Sequence, residues 1–142
     1  MPETPHQAEI ETRPHHDHFV TVSDADIDVN HHANNVVYVR WVQEAATAHW
    51  EKTVPPEIAA ANTWVVMRHE IDYKRAAKLG ENLRVRTWVE TMSAVVSERH
   101  CQIWRDSDNT LIAQVKTLWC TINPDTGRPR RMDPRIPAYF GI

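Results

Sequence analysis

The stretch Asn35-Val36-Val37-Tyr38-Val39-Arg40-Trp41-Val42-Gln43-Glu44-Ala45-Ala46-Thr47-Ala48-His49-Trp50-Glu51 decides the fold. Projected at about 100° per residue, Arg40, Gln43, Glu44, Thr47 and Glu51 gather in a stripe roughly 100° wide. Val37, Tyr38, Val39, Trp41, Val42, Ala45, Ala46, Ala48 and Trp50 fill most of the rest, an apolar arc of about 220°. A helix lying on one surface of a domain needs a narrower stripe, so this pattern predicts a central helix wrapped on several sides. His49 projects into the middle of that arc, beside Tyr38, Val42 and Ala45, and reads as a hydrogen-bonded core histidine.

Outward from the helix the pattern changes period. Pro55 and Pro56 are expected to end the helical region, with strands thereafter. Thr63 to Tyr73 alternates with Val65, Met67, Ile71 and Tyr73 on one side, and Leu83 to Val89 alternates through Leu83, Val85 and Val89. Leu79-Gly80-Glu81-Asn82 reads as the turn between them. Ala94 to Arg105 and Thr110 to Ile122 are two more strands joined by Asp106-Ser107-Asp108-Asn109, so consecutive antiparallel hairpins are expected. A turn at Asn123-Pro124-Asp125-Thr126-Gly127 leads into a basic, Pro-rich tail, Arg128 to Pro137. Upstream, Phe19 to Val22 makes a short first strand, preceded by a lead-in over 1–14 that carries Pro2, Pro5 and Pro14. The class is α+β: one antiparallel sheet of about five strands curled around one long helix, forming a single domain over 15–142. Trp88 and Trp104 fall at exposed strand positions, and pairing with a second copy would cover such surface, so a homodimer or homotetramer is expected.

Composition narrows the function classes. The 142 residues suit one domain, and 42% hydrophobic with 25% charged residues are globular values. The longest apolar runs, Val36 to Val39 and Trp64 to Met67, are far below the roughly 20 residues of a bilayer-spanning helix. No membrane segment or leader is expected, and the setting reads as cytoplasmic. A net charge of −3 gives no global field toward nucleic acid. Cys101 and Cys120 lie inside strand-like segments with no CxxC, and read as buried free thiols. No GxSxG occurs, and Gly80, Gly127 and Gly141 form no phosphate-cradling loop. The cluster His15, His16, Asp17 and His18 lacks a second segment that would complete a zinc site, so no metal is expected.

The densest chemistry is Ser23-Asp24-Ala25-Asp26-Ile27-Asp28-Val29-Asn30-His31-His32-Ala33-Asn34-Asn35, directly before the helix. Asp24, Asp26 and Asp28 match the first ligand positions of a calcium loop, but the sixth position has Val29 instead of glycine and the twelfth Asn35 instead of glutamate. Asn34 or Asn35 is the expected N-cap. A cap accounts for one residue, not for three carboxylates and two imidazoles converging on a helix start. The positive end of the helix and its unpaired N–H groups form a place to hold an oxyanion or a polarised carbonyl. A carboxylate a few residues earlier would face that point.

The string Asp26-x-Asp28-x-Asn30-x-His32-x-Asn34-Asn35-x-x-Tyr38-x-x-Trp41-x-x-Glu44 resembles the hotdog-fold thioesterases of the 4-hydroxybenzoyl-CoA thioesterase type, nearest their acyl-acyl carrier protein thioesterase branch. The stretch Glu70-Ile71-Asp72-Tyr73-Lys74-Arg75, then Leu79-Gly80-Glu81, Thr87-Trp88 and Thr117-x-Trp119, is similar too. The resemblance covers roughly Phe19 to Arg131. It implies a helix wrapped by an antiparallel sheet, active sites at a dimer interface, and hydrolysis of an acyl-CoA or acyl carrier protein thioester without a cofactor. It makes Asp28 the catalytic carboxylate, as nucleophile or as base for a water. Asn30 and His32 match polar residues that accompany it, and Asn34 and Asn35 would supply backbone donors to the thioester oxygen.

The chain departs from that pattern at two places. Many relatives have glycine where this chain has His31, whose bulk is expected to narrow the approach to the helix or add a polar wall. The plant acyl carrier protein enzymes carry a Glu-Cys pair where this chain has Ala76-Ala77. Lys74, Arg75, Arg128, Arg130 and Arg131 are the candidate phosphate-binding cations. Tyr38, Trp41, Val42, Val65 and Met67 are the expected acyl-pocket residues, whereas Trp64, Trp88, Trp104 and Trp119 read as core and interface aromatics. The alternative on the same fold is a module that binds an acyl thioester without cleaving it.

Overall fold

The computed structural model describes residues 13–142. Strand β1 spans His15–Thr21, β2 Thr63–Tyr73, β3 Asn82–Met92, β4 Val96–Arg105 and β5 Thr110–Ile122. They form one antiparallel sheet in the order β1-β3-β4-β5-β2. Helix α1, Asn35–Thr53, lies against one face and buries Val37, Tyr38, Trp41, Val42, Ala45, Ala46 and His49. The Asn34 side chain caps it by accepting from the Val36 N–H at 3.0 Å, an arrangement that stabilises a helix start by about 1 kcal/mol.

The expected hairpins hold for β3-β4-β5, but β2 does not pair with β3. It forms the far edge beside β5, while β3 pairs with β1. Residues 74–81 are therefore a crossover from one edge of the sheet toward the other. A turn sequence between two strands marks a reversal of the chain, not which strands hydrogen-bond. In crossing, the segment is pinned beside the start of α1: the Ala33 N–H donates to the Ala77 carbonyl at 2.8 Å, and the Ala77 N–H donates to the Tyr38 hydroxyl oxygen at 3.1 Å.

Three further expectations need correction. Pro55 and Pro56 end α1 but also begin a short helix α2, Pro56–Ala60, since proline at the first helical position sacrifices no needed N–H. The tail is not without structure: α3, Ile136–Tyr139, lies in it, and while its arginines are exposed, Met132, Ile136 and Phe140 pack with Val54, Ile58 and Val89 in a second apolar cluster at the far end of α1. Trp88 is only 1% exposed despite its outward strand position. Its ring packs 5.7 Å from that of His100 and its indole N–H donates to Glu90. Alternation assigns a residue to a face of the sheet but does not say what covers that face. Of the expected lead-in over 1–14, residues 1–12 lie outside the described part, and β1 starts at His15, before the expected Phe19.

The main core lies between the first half of α1 and the middle of the sheet, built from Val37, Tyr38, Trp41, Val42 and Ala45 against Leu83, Val85, Ile103, Ile112 and Val115. Cys101 and Cys120 are buried and free, and burial pushes the Cys101 thiol up to about 12. Among the described residues no helix is long and apolar enough to cross a membrane, and no His/Cys/Asp/Glu group has the arrangement to hold a metal ion.

Candidate active site

The loop before α1 is organised by its carboxylates, which the fold separates into different tasks. Asp26 is 2% exposed. Its carboxylate accepts from the Ser23 N–H at 2.9 Å, the Ser23 hydroxyl at 3.1 Å and Arg40 of α1 at 2.8 Å, and its carbonyl accepts from the Asn34 N–H at 2.8 Å. Burial alone would raise its pKa, yet the bonds from Ser23 and Arg40 outweigh burial and hold it below the usual carboxylate range. Asp26 is thus a brace that ties the loop to the helix. The spacing of three aspartates did not distinguish this role from the one expected of Asp28.

Asp28 has a different environment. Its Oδ1 accepts from the Asn30 N–H at 2.9 Å and the His32 N–H at 3.4 Å, which fixes the orientation of the carboxylate. Its Oδ2 has no hydrogen bond from a described residue. The chain turns here through an Asp28 carbonyl to His31 N–H bond of 3.1 Å, followed by His31 at φ +61°. That left-handed conformation costs a non-glycine residue about 1 kcal/mol or more. The conformation turns His31 into solvent, and its side chain does not line the cavity, contrary to the expected wall.

A cleft of about 410 Å³ opens at the start of α1, lined by Asp28, Asn30, His32, Ala33, Asn34, Asn35, Tyr38, Tyr73, Lys74, Arg75 and Ala76. All five residues expected to carry the chemistry are here, with Tyr38, Lys74 and Arg75. In the first turn of α1 the Val36 N–H is taken by the Asn34 side chain and the Val37 N–H by the Asn34 carbonyl at 2.9 Å. The Asn35 N–H is left as the donor without a partner among the described residues. Tyr73 donates to the Asn35 carbonyl at 3.1 Å, and its ring meets that of Tyr38 edge-on at 5.1 Å. Burial raises both phenols above the ordinary tyrosine value, so both remain neutral. Lys74 and Arg75 are exposed at the rim with no carboxylate partner among the described residues. Ala33, Tyr73 and Ala76 were not among the expected site residues, although Tyr73 lies in the family-like stretch Glu70 to Arg75 and Ala76 at a departure from the family pattern.

The other candidates stand elsewhere. Trp41 is 1% exposed in the core. Val65 and Met67 are exposed on the edge strand β2, where a bulge lies between Val66 and Arg68. Arg128 and Arg130 follow the end of β5 that pairs with Thr63, the opposite end of β2 from Tyr73. Ten strand residues at about 3.3 Å each place that arginine run roughly 33 Å along β2 from Lys74 and Arg75 within one protomer.

A curled antiparallel sheet wrapped on one helix, with a polar cleft at the helix N-terminus, defines the hotdog class. The chain belongs to the thioesterase-like superfamily, whose family profile matches residues 22–140. No curated protein matches the chain in sequence. Among solved structures, it is similar to a 1,4-dihydroxy-2-naphthoyl-CoA thioesterase from Synechocystis, with 16% identity, a TM-score of 0.78, and 90% of this chain and 96% of that one covered. It is also similar to a Thermus thermophilus thioesterase complexed with coenzyme A and zinc, with 20% identity, a TM-score of 0.77 and coverage of 87% and 90%. A Staphylococcus aureus protein in complex with CoA matches with 17% identity, a TM-score of 0.80 and coverage of 91% and 85%.

Proposed function

We propose that the protein hydrolyses an acyl thioester, of coenzyme A or an acyl carrier protein, at the cleft before α1. The observation that carries this reading is that the oriented carboxylate of Asp28 and the unpaired Asn35 N–H line one cleft. The thioester carbonyl oxygen would accept from the Asn35 N–H at the positive end of α1, where the charge developing in a tetrahedral intermediate is stabilised. Asp28 Oδ2 then takes the proton of an attacking water, or attacks the carbonyl carbon itself to form an acyl anhydride that water hydrolyses after the thiolate has left, releasing the acid and restoring the carboxylate. The C–S bond breaks and the electron pair leaves on sulfur, a thiolate that needs little protonation. Asn30 orients Asp28 through its backbone, and His32 and Asn34 form the polar wall on that side.

Lys74 and Arg75 at the rim are assigned to the phosphates of the thiol carrier. CoA-bound neighbours of the same fold support coenzyme A as that carrier. The working unit is proposed as a homodimer formed along β2, an edge strand with exposed Val65 and Met67. Antiparallel pairing of two β2 edges would carry the arginine run of the second copy toward Lys74 and Arg75, reuniting the two cationic groups. The free thiols are in keeping with a cytoplasmic setting.

The test is thiol release from a panel of short, long, branched and aromatic acyl-CoAs and from acylated carrier protein, by wild type and Asp28→Asn side by side. Asp28→Asn is expected to lower turnover at least about a hundredfold with unchanged folding, since the amide keeps the shape and loses the charge. Wild-type turnover in that variant would remove Asp28 from the chemistry. Tight thioester binding without release by either protein would establish a binding module instead.

A further inference from the structure

A second cavity lies at the other end of α1. It measures about 240 Å³ and lies between the helix, at Ala46, Thr47 and Trp50, and the strands, at Trp64, Met92, Ser97, Arg99 and Trp119. Tyr38, in the first cleft, and Ala46 are eight residues apart, about 12 Å along the helix axis. At about 30 Å³ per water the space holds roughly eight waters, or one substituted ring.

Its chemistry is unusual for a gap in a core. Arg99 is 6% exposed. Its Nη1 reaches the His49 Nδ1 at 2.9 Å and the Thr87 hydroxyl oxygen at 3.1 Å, and its guanidinium carbon lies 5.7 Å from the Phe140 ring centre. All three neighbours are neutral, because burial and the adjacent guanidinium drive the His49 pKa down to about 3. No carboxylate among the described residues pairs with Arg99, whereas Arg40, Arg68, Arg84, Arg86, Arg105 and Arg135 each have one. A buried cation without a counter-charge is among the costliest arrangements in a protein. Two of the cavity-lining indoles, Trp64 and Trp119, also have buried Nε1–H groups with no acceptor among the described residues.

We propose that this cavity binds a carboxylate carried on a flat apolar body, with Arg99 as its counter-charge and the indoles as its walls. The ligand supplies the missing negative charge and apolar surface to match Trp50, Trp64 and Trp119. The carboxylate belongs either to a free small acid or to the far end of an acyl group whose thioester lies at the helix start. Only this second source rests on the proposed hydrolase reading.

The experiment titrates purified protein with benzoate and with benzamide, its neutral analogue, following tryptophan fluorescence and the thermal midpoint. Benzoate is expected to bind at least tenfold more tightly, and Arg99→Met to lose that preference. Because Arg99 is in the core, a second comparison uses the exposed mouth residue Thr47: Thr47→Glu weakens benzoate at least tenfold relative to Thr47→Gln, at equal thermal stability. Equal affinity for benzoate and benzamide, no binding of benzoate at millimolar concentration, or identical behaviour of the two Thr47 variants would overturn the proposal. Displacement of benzoate from Asp28→Asn protein by an ω-carboxyacyl-CoA, but not by the methyl-ended acyl-CoA, assigns the carboxylate to the acyl end. Absence of displacement assigns it to a free acid. The benzoate titration is independent of turnover, so it stands if the hydrolase reading fails.

Discussion

Replacing Asp26 by alanine tests whether the loop that presents Asp28 is held by a buried carboxylate. Three hydrogen bonds to that carboxylate are lost, two from Ser23 and one from Arg40. A hydrogen bond to a charged group is worth about 1.5–3 kcal/mol, and the Ser23 N–H loses its acceptor. The Arg40 side chain is 53% exposed, so solvent replaces its partner and its share falls to about 0.5–1 kcal/mol. With part of the loss offset by relief of carboxylate burial, the expected destabilisation is about 3 kcal/mol, against about 1 kcal/mol or less for Arg40→Ala. Urea unfolding monitored by tryptophan fluorescence measures both, with the slope checking that the transition stays two-state. The pH dependence follows from the same contacts. The folded pKa lies below the unfolded value, so the stabilisation is complete above about pH 4 and is lost as pH falls through the depressed folded value. Asp26→Asn should therefore flatten the acid limb of the stability curve. A loss below about 1 kcal/mol for Asp26→Ala, or an unchanged acid limb in Asp26→Asn, would refute the brace.

His49 is buried, with its pKa lowered to about 3, so the unfolded chain takes up a proton that the folded one refuses. Wild-type stability should fall by about 1–3 kcal/mol between pH 7 and pH 4.5, and His49→Gln, which can still accept from Arg99, should remove that share, as read by denaturation at the two pH values. The double substitution Lys74→Ala with Arg75→Ala should raise KM for an acyl-CoA about tenfold with kcat nearly unchanged, and reduce the dependence of KM on salt; steady-state kinetics at two ionic strengths check this. Met67→Asp on the β2 edge should shift the protein to monomer, read by light scattering on a size-exclusion column.

Much of this architecture is legible locally. The wide apolar arc of α1 foretells a wrapped helix, and the limits of β2 and β5 follow from alternation and turn residues, because periodicity records which side of an element faces the core. The string from Asp26 to Glu44 points to the start of the helix as the candidate site, and the cleft lies there. What the sequence left hidden depends on neighbours distant in sequence. Asp26 and Asp28 are equivalent as letters, and only Arg40, two turns into the helix, makes one a brace. Trp88 has an outward register yet is covered. Nothing in the sequence singles out Arg99; only the packing of His49, Thr87 and Phe140 around it shows a buried guanidinium with no carboxylate partner among the described residues.

The sequence by itself determined the long helix and the five strands, a cap at Asn34 or Asn35, and the grouping of Asp28, Asn30, His32 and Asn35 beside a helix N-terminus, since these lie within a few turns of one another. The tertiary structure decided that β2 joins β5 at the edge, sending residues 74–81 across the start of α1. That crossover brings Tyr73, Lys74 and Arg75 to Asp28 and leaves Arg128, Arg130 and Arg131 far along β2. Strand order is set by how the whole sheet closes around the helix, a choice among pairings that each strand's own alternation leaves equally satisfied.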